Sequence, residues 1–155
     1  MIYNQCMNTI NIDTPVGKMY LSSDGDSITE LKFGTCEKDN PDEVLLIAKA
    51  ELEEYFEGTR KSFTVSLKPK GTVFQQSVWK ALCEIPYGET ATYGEIAKKI
   101  GNEKACRAVG MANNRNPIAI IIPCHRVIGA GGSLTGYAGG LDKKELLLSL
   151  EAQRR

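Results

Sequence analysis

Apolar and polar residues alternate over Ile2–Ile12 and again over Lys18–Ser22, a two-residue period that predicts strands with one buried face. Asp24-Gly25 is a turn signal, and Ser27–Phe33 reads as a further strand. The period then changes. Over Pro41–Phe56, Val44, Leu45, Ala48, Leu52, Tyr55 and Phe56 recur at three- and four-residue steps, acids open the segment and Gly58 ends it, which predicts a helix. Phe63–Leu67 alternates like a strand, and Lys68-Pro69-Lys70-Gly71 has the composition of a linker. The first half is therefore expected to be mixed α/β.

Beyond the linker the pattern is mostly helical. Phe74–Ile85 carries Phe74, Val78, Leu82 and Ile85 on one stripe and stops at Pro86-Tyr87-Gly88. Thr92-Tyr93-Gly94-Glu95 fits a capping box ahead of Ile96, Ala97 and Ile100, with Gly101 closing that short helix. Another helix is expected over Lys104–Asn113. Two short helices joined by a tight glycine-containing turn have the shape of a helix-turn-helix, a pattern shared with any plain αα-hairpin. Asn116-Pro117 leads into the apolar run Ile118–Ile122, a buried-strand length. A Gly-rich stretch, Gly129–Gly140, precedes a final helix over Asp142–Gln153.

Composition narrows the class. The chain has 155 residues, 42% hydrophobic and 25% charged, with zero formal net charge, which excludes a disordered or collagenous chain. Its longest apolar run is far short of the roughly 18 residues a membrane span needs, and the polar, mixed N-terminus does not read as a signal peptide. Five cysteines (Cys6, Cys36, Cys83, Cys106, Cys124) show no CxxC spacing, so a reduced, cytoplasmic setting is expected, with no membrane partner. The charge is divided unevenly. Residues 1–71 hold 8 Lys+Arg against 12 Asp+Glu, and residues 72–155 hold 11 against 7. An excess of cations in the second half only is what contact with a polyanion there would require, although fluctuations of this size are common.

The candidate chemistry centres on Cys124. It follows an apolar segment and a proline, and precedes the imidazole of His125, the only histidine in the chain, and the guanidinium of Arg126. A cysteine attacks as its thiolate, and a neighbouring base or cation lowers its pKa. A Cys-dependent phosphatase needs Arg six residues on, where Ala130 stands, and a dithiol oxidoreductase lacks its second cysteine. A cysteine hydrolase needs a base, an orienting group and an activated water. One nucleophilic displacement, with the thiol as permanent acceptor, suits this inventory better.

These residues resemble a known family. Ile122-Pro123-Cys124-His125-Arg126-Val127 is similar to the acceptor motif of the O6-alkylguanine-DNA alkyltransferases, or methylated-DNA–protein-cysteine methyltransferases. Tyr93, Arg107-Ala108-Val109-Gly110, Asn116-Pro117, Gly136-Tyr137, Gly139-Gly140-Leu141 and Lys144-Glu145 to Glu151 occur in that family's order, so the resemblance covers about Phe74–Glu151. It implies an α/β (α+β) N-terminal domain with a small antiparallel sheet over residues 1–70. A mainly α domain with a winged-helix-like helix-turn-helix would follow over residues 71–155, carrying DNA binding and the alkyl acceptor.

By the same resemblance, Cys124 is the alkyl acceptor, His125 deprotonates it through a water, Glu151 orients the imidazole, and Asn116 braces the active-site turn. Tyr137 hydrogen-bonds the lesion base, Tyr93 helps rotate the target nucleotide out, Arg107 fills the gap in the base stack, and Asn102 makes a further DNA contact. The implied partner is double-stranded DNA carrying O6-alkylguanine, entered from the minor groove with the base flipped, because a stacked base cannot present its O6 substituent to a thiol. The implied protein is a monomer that needs no cofactor or metal and reacts once, with O4-alkylthymine a second substrate. His125 would lower the Cys124 pKa through thiolate–imidazolium character.

Some relatives hold zinc through Cys and His in the first domain, which one histidine cannot reproduce. Ala138 and Ala119 stand where other relatives have serine and proline, and non-catalytic relatives carry tryptophan in place of the acceptor cysteine that is kept here as Cys124. Two other classes fit part of the pattern: a module that flips and holds the lesion without reacting, and a cysteine hydrolase unrelated to DNA.

Overall fold

The computed structural model describes residues 7–153, and the chain divides into two compact units, Met1–Lys70 and Gly71–Arg155. In the first, β1 (Asn8–Thr14), β2 (Gly17–Ser23) and β3 (Ile28–Phe33) form an antiparallel sheet in that order. The register aligns Ile10 with Leu21 and Leu21 with Leu31, so the alternating apolar positions fall on one face. Helix α1 (Glu43–Glu57) covers that face with Leu45, Ala48, Leu52 and Tyr55, all buried. Asp42 caps it by accepting from Leu45 N at 3.0 Å.

The sheet departs from expectation at two places. Of the first predicted strand, residues 2–6 lie outside the described residues, and β1 runs on past Ile12 to Thr14. Phe63–Leu67 is not a strand. It meets β3 through an isolated bridge, Ile28 with Leu67. The backbone N–H and hydroxyl of Thr64 both donate to the buried Glu51 carboxylate, which removes the residue from any ladder.

In the second unit, α2 (Val73–Leu82) opens on a capping box of Thr72 and Gln75 and ends three residues before the expected Ile85, as the chain turns toward Pro86. Trp79 ties it to α4 (Cys106–Asn114) by donating from Nε1 to the Ala112 carbonyl at 2.9 Å. Between them, β4 (Ala91–Thr92) leads into α3 (Tyr93–Lys99), whose Thr92–Glu95 capping box is formed from both sides. The α3–α4 turn passes through Gly101 at φ +82°, a left-handed conformation glycine adopts without strain.

The apolar run Ile118–Ile122 is buried, but it is a tight turn and not a strand. Asn116 closes it, accepting from Ile118 N at 3.0 Å and donating to the Ile122 carbonyl at 2.8 Å, while Ile122 N bonds back to the Ile118 carbonyl at 3.0 Å. Its apex, Ile120, is the one described non-glycine residue with positive φ, at 69°, a costly conformation for a β-branched side chain. After a 3₁₀ turn at Cys124–Arg126, β5 (Val127–Ile128) pairs in parallel with β4, and α5 (Leu141–Gln153) ends the described chain. No helix among the described residues is long and apolar enough to cross a membrane.

Candidate active site

The 3₁₀ turn places Cys124, His125 and Arg126 on successive steps of the chain, and all three are buried. The backbone on either side of the thiol is fixed by two asparagines. Asn113 of α4 donates to the Cys124 carbonyl at 3.3 Å, and Asn116 holds the Ile122 carbonyl and adds a hydrogen bond to the thiol itself. Cys124 is only 5% exposed, and burial pushes its pKa up to about 11, with the Asn116 bond and the Lys144 charge opposing the rise. A lowered thiol pKa was expected, and the opposite holds. The Arg126 guanidinium is bonded to Glu151 and to the Ile85 carbonyl, and desolvation of the thiolate outweighs the Lys144 charge.

His125 is completely buried, with Nε2 2.7 Å from Oε2 of Glu151 on α5. Burial lowers its pKa, since an imidazolium would lose its hydration. The hydrogen bond and charge of Glu151 oppose this, and the charges of Arg126 and Lys144 reinforce it. Burial would raise the Glu151 pKa as well, but hydrogen bonds from His125 and Arg126, with the positive charge beside it, hold it near 2. Of the two partners, Arg126 is the one whose charge is permanent. Glu151 is therefore a carboxylate that only accepts. Nε2 of His125 must carry the hydrogen, and the basic lone pair is on Nδ1, a buried atom with no hydrogen-bond partner among the described residues.

The stretch between β5 and α5 forms the outer wall. The Tyr137 hydroxyl is buried within electrostatic range of Cys124 and Glu151, and burial raises its pKa, so it stays a neutral phenol. Two bonds pull this segment in through one carbonyl, that of Thr135, which accepts from Tyr93 Oη at 3.2 Å and from Lys144 Nζ at 2.6 Å. Gly136, at φ +48°, lies against the Asn114 side chain, where an added Cβ would come within 3.3 Å.

Five of the expected site residues, Cys124, His125, Glu151, Asn116 and Tyr137, thus gather around one buried thiol. Tyr93 is half-buried at the edge of the same wall, whereas Asn102 and Arg107 stand in solvent on the α3–α4 turn and the first turn of α4. Arg107 and Met111 are four residues apart, and both are exposed. Lys144, Asn113 and Thr135 carry no role legible in the sequence, where Arg126 stands only as a cation beside the thiol. One signal was available. Lys144, Leu147 and Glu151 repeat at helical spacing, so burying Leu147 takes two charged residues in with it.

A buried thiol, a neutral histidine with its tautomer set by a carboxylate, and an exposed helix-turn-helix beside them define a DNA-associated cysteine acceptor protein. The family comparison agrees. The pattern described as "6-O-methylguanine DNA methyltransferase, DNA binding domain" matches residues 73–153, and that described as "6-O-methylguanine DNA methyltransferase, ribonuclease-like domain" matches residues 7–69. The chain belongs to the 6-O-methylguanine DNA methyltransferase family. It is 58% identical to a methylated-DNA–protein-cysteine methyltransferase of Methanosarcina acetivorans, over 90% of this chain and 94% of the relative. It is 51% identical to the Mycobacterium tuberculosis protein of that name, over 92% and 91%. The crystal structure of Mycobacterium tuberculosis O6-methylguanine methyltransferase superposes with a TM-score of 0.88 at 48% identity, covering 97% of this chain and 95% of that one. The Mycobacterium tuberculosis OGT solved in complex with DNA gives 0.88 at 50% identity, covering 95% and 94%.

Proposed function

We propose that this protein repairs DNA by direct reversal, moving an alkyl group from O6 of guanine, and from O4 of thymine, onto Sγ of its own Cys124. The observation that carries it is the buried Cys124 thiol beside a histidine whose free nitrogen is a base and whose other nitrogen is tied to Glu151. Nδ1 of His125 takes the thiol proton, directly or through a water. The sulfur lone pair forms the S–C bond as the C–O6 bond breaks, and the electron pair returns to the guanine, which is protonated as it leaves. Tyr137 supplies a neutral hydroxyl for a hydrogen bond to the departing base. The product is a thioether, and no group around Cys124 can cleave one, so each molecule acts once.

Because burial favours the neutral thiol, deprotonation is coupled to the arrival of the substrate and is not a property of the resting protein. Reaching the thiol requires a flipped base, at a cost of a few kcal/mol. Arg107 is assigned to fill the stack, Tyr93 to turn the nucleotide, and Asn102 to make a further contact, with α4 in the minor groove. In this scheme residues 71–155 carry DNA binding and transfer, residues 1–70 form a separate domain, and the protein works in the cytoplasm as a monomer. Mass spectrometry after mixing with duplexes holding O6-methylguanine or O4-methylthymine is the test. A lasting gain of one methyl on the Cys124 peptide is expected; tight binding without a gain would instead mark a protein that holds the lesion unreacted.

A further inference from the structure

Two consecutive residues of the Cys124 turn grip one carboxylate. Oε1 of Glu151 accepts from Arg126 Nε at 2.8 Å and from Gly88 N at 3.4 Å; Oε2 accepts from Arg126 Nη2 at 3.0 Å and lies 2.7 Å from His125 Nε2. The guanidinium is committed on its other side too. Nη1 donates to the Ile85 carbonyl at 2.8 Å, and Cζ lies over the Tyr87 ring, 5.6 Å from its centroid. Arg126 thus joins the segment after α2 to α5 from a position that is only 7% exposed. A fork–fork pair of this kind fixes direction as well as charge.

The consequence reaches His125. A carboxylate this deep that loses the permanent positive charge of the fork would be pushed by burial toward taking up a proton. Protonated Glu151 can donate as well as accept, so His125 could carry its hydrogen on either nitrogen. An ionised, immobilised Glu151 permits one tautomer. The charged groups facing His125 are Glu151 and Lys144 from α5 and Arg126 from its own turn, with the Cys124 thiol adjoining. Lys144 is committed to the Thr135 carbonyl, so it does not replace Arg126 at the carboxylate.

We propose that Arg126 is a positioning residue for alkyl transfer: its fork keeps Glu151 ionised and aimed, which confines the His125 hydrogen to Nε2 and leaves Nδ1 free to take the Cys124 proton. The functional half of this statement rests on Cys124 being the alkyl acceptor; the tautomer half does not.

The chain offers a clean test because His125 is its only histidine. Protein labelled with ¹⁵N-histidine gives one imidazole, whose nitrogen shifts report the tautomer directly. The wild type should show the neutral Nε2–H form at pH 7. Arg126→Gln, shown folded by circular dichroism, should show a mixture of forms and react with O6-benzylguanine about tenfold or more slowly. Arg126→Lys, which keeps a charge but loses the fork, should fall between the two. The Arg126→Gln/Glu151→Gln pair should be no slower than Glu151→Gln alone, because both act through one carboxylate.

A pure Nε2–H tautomer with wild-type transfer rate in folded Arg126→Gln would overturn the proposal. Should that variant not fold, the same pair of results in Arg126→Lys would do so, as would losses that multiply in the double variant. A wild type that shows the Nε2–H form yet never alkylates Cys124 would defeat the transfer function and leave the positioning intact.

Discussion

Tyr93 of α3 and Thr135 of the outer wall are bonded twice. The Tyr93 hydroxyl donates to the Thr135 carbonyl at 3.2 Å, and the Thr135 hydroxyl is 3.1 Å from the same phenolic oxygen. The helix-turn-helix is thereby tied to the segment that carries Tyr137, and Lys144 pulls the same carbonyl toward α5. Anything that moves α3 therefore moves one wall of the thiol site.

Tyr93→Phe keeps the ring, which lies near Gly110 and Gly136, and removes the hydroxyl. The loss should be about 1 kcal/mol, confined to local opening. Amide hydrogen exchange should speed up over residues 129–140 while the protection of α2 and Trp79 is unchanged. Unchanged exchange in that segment would show that the wall is held by other contacts.

Cys124→Ser should abolish transfer while leaving affinity for the lesion duplex within a few-fold, because the hydroxyl is nearly isosteric and a far weaker nucleophile. The resting thiol should also resist small electrophiles. Iodoacetamide should modify the exposed Cys106 ahead of Cys124 at pH 8. Rapid modification of Cys124 at that pH would mean that the resting site holds a thiolate.

Arg107→Ala should slow repair of O6-methylguanine in duplex DNA far more than reaction with free O6-benzylguanine, since only the duplex needs a flipped state to be propped open. Arg107 is exposed near the start of α4, and its loss should leave the melting temperature unchanged. Equal slowing of both reactions would place Arg107 in the support of the thiol pocket.

Acid should act on the fold in two stages. Burial lowers the His125 pKa, so below about pH 6.5 the unfolded chain gains a proton that the native state refuses, and stability starts to fall as pH drops. Glu151, held near 2, stabilises the native state above the unfolded carboxylate value of about 4.3. That contribution, on the order of 3 kcal/mol, is lost as pH falls toward 2. Glu151→Gln should flatten the urea-midpoint profile between pH 4 and 2, and His125→Gln should flatten the limb beginning near pH 6.5. Profiles parallel to the wild type would remove either group from the acid response.

What the linear pattern determined is local. The two-residue period of β1 to β3, the three- and four-residue steps of α1, and the Thr92–Glu95 capping box each depend on neighbours a few residues away, so they are legible without the fold. The order of motifs around Cys124 was likewise enough to point to the family. Tertiary structure decided the rest, because the contacts responsible join distant segments. Ile118–Ile122 is a turn because Asn116 closes it at both ends, although its composition is that of a buried strand. Helix α5 has leucines at 146, 147, 148 and 150, a distribution that favours no single face. It buries Lys144, Leu147 and Glu151 because a carbonyl at Thr135, an imidazole at His125 and a guanidinium at Arg126 are waiting for those charges. The thiol pKa was misjudged for the same reason. Sequence shows which cations stand near Cys124 along the chain, but only the folded structure shows that Arg126 is spent on Glu151 and that burial, which favours the uncharged thiol, prevails.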